Sequence, residues 1–264
     1  IMTKRMSALV ALTIVPVIFG LLAGIGADIG AMAVEGISQL APTATLLLFA
    51  VLYFAVMIDA GLFDPLVDRV LKFAGDDPVR VSMGTAILAL VVALDGDGAT
   101  TALITITAFL PVYHRLGMNP LVLAVNLGSA ACVMNLTPWG GPMGRGAGAL
   151  HVDPSDIFIP LLPTLIAGIV GTVMISWYLG RSERKRIAVE GVGVHSAGRA
   201  ILFERDETLR RPGMFWLNLA LTLSILGAAI SGTLPLSLVF MIGLSVALLV
   251  NYPKVSQQCG RIQA

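Results

Sequence analysis

Charge is what this chain has least of. Asp, Glu, Lys and Arg make up 12% of its 264 residues, against about 25% in a soluble domain, which excludes an ordinary water-soluble fold. The two signs nearly cancel, to a net charge of +1, so there is no basic surplus to attract nucleic acid. Two cysteines cannot build a disulfide framework; Cys132 lies in an apolar run and Cys259 near the end, and both read as small apolar packers. The opening Ile1-Met-Thr-Lys-Arg5 lacks the basic, apolar and small-residue order of a signal peptide, and a first residue other than Met suggests that the natural start lies upstream. What abounds instead is hydrophobic residues, 56% of the chain and gathered in runs. The composition is that of a polytopic, all-α membrane protein.

Six runs read as spans: Met6–Ala23, Thr43–Ile58, Pro120–Leu136, Ile157–Leu179, Met214–Ile230 and Leu234–Val250. Two more, Val81–Leu94 and Ala102–Val112, are too short to cross a bilayer, which takes about 20 helical residues. Lys and Arg in the connections set the orientation. The stretch Arg181–Arg211, with eight arginines and lysines, reads as a flexible cytoplasmic link, and Lys4 and Arg5 put the start of the first span inside. The link Asp28–Pro42 has neither residue and faces outward, whereas Asp64–Arg80 carries Arg69, Lys72 and Arg80 and faces inward. His114-Arg115 also reads as inside, so the two short runs enter and leave on the same side as a re-entrant hairpin. Val67–Ala74 has the pattern of an amphipathic helix on the inner interface. The predicted organisation is a first repeat over 1–186 (hairpin 81–113, broken helix 120–150), a cytoplasmic linker over 187–212 and the start of a second repeat over 213–264.

Between the two short runs lies Leu94-Asp-Gly-Asp-Gly-Ala-Thr-Thr101. Carboxylates at membrane depth are costly and point to function, and irregular backbone there survives only inside protein or along a watery cavity. A second break, Asn135-Leu-Thr-Pro-Trp-Gly-Gly-Pro-Met-Gly-Arg145, unwinds the span from Pro120 and leaves Met143–Leu150 as a second half-helix. Unwound carbonyls suit a cation, and a half-helix N-terminus suits a carboxylate. Asp95 and Asp97 supply hard oxygens for a proton or a divalent cation; Thr100, Thr101, Asn135 and Thr137 offer neutral oxygens; Arg145 adds a fork-shaped partner for a carboxylate. Blander readings stand beside these. Asp95 and Asp97 could cap the following helix, Arg145 could snorkel to the outer surface, and Pro138-Trp139 could be an interfacial turn with a belt tryptophan. Asp153 reads as the cap of the span that follows it.

These two breaks, with Met57-Ile-Asp-Ala-Gly-Leu-Phe-Asp-Pro65 and Val152-Asp-Pro-Ser-Asp156, resemble the CitMHS family of citrate–metal:proton symporters along essentially the whole chain. The resemblance implies half of an inverted-repeat transporter, a helical bundle with a re-entrant hairpin and a broken helix. It also implies a multi-pass protein of the plasma membrane that takes up citrate complexed with a divalent metal of the Mg or Ca type, together with protons. The metal is then co-substrate, and no tightly bound cofactor is expected. On this likeness Asp95, Gly96, Asp97, Gly98, Thr100 and Thr101 form the hairpin half of the site, with Asp95 and Asp97 facing the metal; Asn135, Thr137, Gly140 and Gly141 form the other half. A homodimer is compatible with the sequence but not required by it. The second repeat's own hairpin and break are not in these residues, so the chain is expected to be a fragment that does not transport alone. An alternative cargo, a dicarboxylate or another small anion moved with sodium or protons, uses the same elements. Enzyme readings are disfavoured: an intramembrane aspartyl protease needs its two Asp on neighbouring helices, and here both lie on one turn.

Overall fold

Residues 7–26, 28–96, 98–190, 211–231 and 233–263 are described by a computed structural model, and all their regular structure is helical. The chain divides into two compact units, Ile1–Pro42 and Thr43–Ala264. In the first, α1 (Ala8–Leu22) starts at Ser7, whose Oγ accepts from the Val10 N–H at 3.3 Å. It ends in a turn and is followed by the opening of α2 (Ile29–Asp59). The expected outward connection over 28–42 is therefore helical from Ile29 onward. Its Ala, Met, Glu and Gln residues favour helix, and Pro42 sits inside the helix without ending it.

In the second unit, α3 (Asp64–Ala74) is the short amphipathic helix anticipated from its pattern, with Val70 and Ala74 buried. Next come α4 (Pro78–Val92) and α5 (Gly98–Arg115), joined by a single 3-10 turn, Ala93–Asp95, and by Gly96 in the left-handed region at φ 75°. The two helices run antiparallel. Thr85 Oγ1 lies 3.3 Å from the Tyr113 hydroxyl, a Cβ on Gly84 would stand 3.2 Å from Phe109, and Arg115 pairs with Asp76 at 2.6 Å across the base. This is a helical hairpin whose ends meet.

The chain returns along α6 (Pro120–Met134), capped by Asn119, whose side chain accepts from the Leu121 N–H at 2.9 Å. After an irregular stretch, α7 (Gly141–Leu150) follows and ends at His151 in the left-handed region. Helix α8 (Pro154–Glu190) begins behind Asp153, which caps it by accepting from the Ser155 N–H at 2.8 Å, as the sequence predicts. Arg181–Glu190, read from the sequence as the start of a flexible link, is helix. Ion pairs one turn apart stabilise the extension: Arg186 bonds Glu183 and Glu190, both at 2.8 Å. The rest of that linker, including Gly191 and Gly193, lies outside the described residues. Helices α9 (Phe215–Ser231), α10 (Leu236–Asn251) and the short α11 (Val255–Gln263) follow.

Helix α4 is held hard against α8. A Cβ on Gly180 would lie 2.7 Å from Val79 Cα, and Ser82 Oγ donates to Ser176 O at 2.8 Å. Asn126 of α6 joins them, donating to Ser82 Oγ at 3.0 Å. Small residues and hydroxyls at close crossings are how helices associate where lipid removes the hydrophobic drive between them. Outward-facing side chains are apolar: Ile166, Val170 and Met174 form an exposed row on α8, and Leu223 and Leu249 are exposed on α9 and α10. Two described helices, α2 and α8, are individually long and apolar enough to cross a membrane; α6, α9 and α10 run 15–17 residues. The cysteines are free and exposed, not packed inside as the composition suggested; Cys132 points off the apolar α6 to the outside of the bundle.

Candidate functional site

The α4/α5 hairpin ends in a turn because the sequence there cannot continue a helix. Gly96 takes the positive φ that side-chain-bearing residues disfavour. In the 3-10 turn before it, Leu94 O receives the Trp139 indole N–H at 2.7 Å. Trp139 lies in the other break, between α6 and α7. The two interruptions therefore meet: a Cβ on Gly96 would stand 3.5 Å from Trp139 O and 3.8 Å from Gly140 Cα.

The second break is built on tight backbone turns. Asn135 caps the C-terminus of α6 with its N–H bonded to Ala131 O and Val133 O, and its side chain is half-buried. Thr137 is buried; its hydroxyl donates to Met134 O at 2.9 Å, so it offers a ligand only lone pairs. The Gly140 N–H bonds Thr137 O at 2.9 Å, and a Cβ on Gly140 would lie 2.6 Å from Asn135 O. Only glycine fits there. Gly141 opens α7, whose first N–H groups are the uncapped ones expected at a helix start. Arg145 is exposed and folds back over this first turn, its Nη1 3.7 Å from where a Gly141 Cβ would stand. Its guanidinium is thus carried toward the break, not along α7 toward its outer end.

On the hairpin side, Gly98 is exposed at the start of α5, Thr100 is half-buried and Thr101 fully buried. The Asp95 backbone closes the 3-10 turn. Its side chain and the whole of Asp97 lie outside the described residues, and so does the predicted metal contact of these two carboxylates. Sequence reasoning left Trp139 out of the candidate site and offered a belt tryptophan as one reading of it, yet it is the side chain that joins the two breaks. It is 4% exposed, whereas Trp177 and Trp216 are 41% and 73% exposed. The available signal was its position, one residue before the two glycines that open the break.

At the opposite end of the hairpin the basic connections converge. Arg184 of α8 hydrogen-bonds Asp77 ahead of α4, Glu183 accepts from the Asn119 N–H at 2.8 Å, and Arg186 donates to Gly117 O at 2.7 Å. Burial alone would raise the Asp77 and Glu183 carboxyls. Hydrogen bonds and the neighbouring arginine charges outweigh it and hold both below their ordinary range. Of the basic residues in the charge count, Arg80, Arg115, Arg184 and Arg186 gather at this end of the hairpin.

The described residues thus form a helical bundle with an apolar exterior, in which a hairpin tip and a broken helix meet around glycines, hydroxyls and an arginine. The family model for citrate transporters (CitMHS) matches residues 1–263, and the chain belongs to that family. It is similar to two proteins of Bacillus subtilis (strain 168). One, a citrate transporter, is 48% identical over 267 residues, covering 100% of this chain and 61% of that protein. The other, a Mg(2+)/citrate complex secondary transporter, is 43% identical over 265 residues with the same coverage. The chain thus spans about three fifths of the length of these relatives. No solved structure matches it.

Proposed function

We propose that the protein of this chain is a multi-pass transporter of the plasma membrane that takes up citrate as a complex with a divalent metal, coupled to protons, by alternating access. The observation that carries this reading is the meeting of the hairpin tip with the α6/α7 break, Leu94 O against the Trp139 indole and Gly96 against Gly140. Citrate is a trianion, and a divalent ion leaves the complex a single net negative charge. Arg145 and the start of α7 match that charge, since a helix N-terminus is worth about half a positive charge. Neutral oxygens of Asn135, Thr100 and Thr101 and the carboxylates of Asp95 and Asp97 are suited to the metal and to a proton. The name of the magnesium–citrate relative supports the same cargo.

The cytoplasmic side is read as the base of the hairpin, where Arg115, Arg184 and Arg186 gather. The test is uptake of labelled citrate by cells expressing the full-length protein, with and without magnesium or calcium. Replacing Asp95 or Asp97 by Asn is expected to abolish metal-dependent uptake while insertion stays intact; normal uptake in both variants sinks the site. A proton-coupled symporter responds to an imposed pH gradient, whereas sodium dependence without any metal requirement selects the dicarboxylate-type alternative.

A further inference from the structure

The tryptophan that joins the two breaks has a role that the transport reading leaves unassigned. Trp139 is buried, and its ring packs against Phe54 of α2 and Phe240 of α10 with centroids 6.2 and 5.2 Å away. Phe54 and Phe240 also touch each other at 6.0 Å, and Tyr53 completes the block by meeting both. The ring is therefore held by two aromatic neighbours from different helices, themselves braced by Tyr53. The indole N–H is the only polar atom of that side chain, and it reaches across to the Leu94 carbonyl at 2.7 Å. That carbonyl belongs to the one turn between α4 and the hairpin tip. No side chain at Gly96 stands in the way, and none at Gly140.

A phenylalanine would fill the same aromatic block. Tryptophan adds a single directed bond, from the broken helix to the backbone of the hairpin tip. Buried N–H and C=O groups are expensive to leave unpaired at membrane depth, so the bond holds the tip at one spacing from the break.

We propose that Trp139 is a positioning residue of the substrate site: its indole N–H, by bonding Leu94 O, fixes the contact of the hairpin tip with the α6/α7 break beside which the anion is held. This rests on the transport reading above. It adds that this contact is set by one side chain, and that the aromatic block ties it to α2 and α10. Binding or release of the anion is then felt at the indole.

Two measurements on the full-length protein in vesicles test this. Trp139→Phe keeps the ring packing and removes only the N–H. Its half-saturation concentration for citrate with magnesium is expected to rise about three- to tenfold, the worth of one net hydrogen bond, with maximal rate little changed and the melting temperature lowered by no more than the loss of that one bond. A fall in rate and melting temperature at unchanged half-saturation marks a packing role only and overturns the proposal, as does wild-type behaviour. In the second, Trp177→Phe and Trp216→Phe leave Trp139 as the sole tryptophan of these residues. Its emission is followed while citrate, succinate or inorganic phosphate is added, each with and without magnesium. A saturable shift with citrate plus magnesium supports both readings. A shift with another anion alone overturns the citrate assignment yet keeps the positioning role. No shift with any of them, in protein that does take up citrate, overturns the positioning role; failure of uptake and of every shift overturns both.

Discussion

Gly140→Ala isolates the geometry of the second break from its chemistry. The residue has φ −66° and ψ 141°, a conformation open to any amino acid, so alanine meets no dihedral penalty. What it meets is backbone: its Cβ would lie 2.6 Å from Asn135 O, 3.0 Å from Thr137 O and 3.1 Å from Asn135 C. Ordinary carbon–oxygen contact needs roughly half an ångström or more beyond the first of these, and none of the atoms is the end of a flexible side chain. The carbonyl of the α6 cap must therefore move, taking the Trp139 turn with it. Overpacking of this kind costs about 1–3 kcal/mol, a melting shift of roughly 2–4 °C for each kcal/mol in a protein of this size. Gly146 of the same half-helix is the internal control, because a Cβ there meets nothing within 4 Å; Gly146→Ala should be neutral or gain up to about 1 kcal/mol from helix propensity. Detergent-solubilised melting curves and citrate uptake, read side by side, decide the matter. If Gly140→Ala melts and transports like Gly146→Ala, the break is not the tight turn described and the site built on it is wrong.

Two further outcomes follow from the base of the bundle and from its far helices. Glu183 has a folded-state pKa below its ordinary 4.5, so its contribution is complete above that value and is lost as pH falls through the lower, folded one. Acid melting of the wild type should therefore set in below about pH 4.5, and Glu183→Gln should flatten that acid limb while lowering stability at neutral pH, by leaving Arg186 one partner short. Asn218 and Asn251 exchange side-chain amide bonds at 2.8 and 2.9 Å between α9 and α10. Asn218→Leu strands a buried amide and should cost about 1–3 kcal/mol, whereas the Asn218→Leu/Asn251→Leu pair should recover most of it; equal losses in the single and double variants would show that the pairing contributes nothing.

How far the sequence could be read varied with the physics involved. The helices α5, α6, α9 and α10 fall close to their apolar runs because period and length are local properties. Both breaks were legible, since clustered glycine and proline, Gly96 and Gly98 in one and Pro138, Gly140, Gly141 and Pro142 in the other, disfavour an uninterrupted helix. Helix ends were less so. The chain over 29–42 and 181–190 is helical although it looks like connection, because propensity and one-turn ion pairs, not hydrophobicity, hold it there. For Arg145 the sequence left a site residue and a surface anchor as alternatives, and its side-chain path back over Gly141 is visible only in the folded chain.

By itself, then, the sequence determined an all-helical membrane protein, a hairpin returning to its own side and a helix interrupted at Asn135, all consequences of hydrophobic run length, Lys and Arg placement and glycine–proline chemistry along the chain. That the two interruptions face one another was decided only by tertiary structure. Leu94 and Trp139 are 45 residues apart, and no local pattern records a bond between a turn carbonyl and an indole. Their meeting depends on α4 lying against α8 at Gly180, on α6 returning antiparallel beside α5, and on the aromatic block that leaves the tryptophan ring one place to sit.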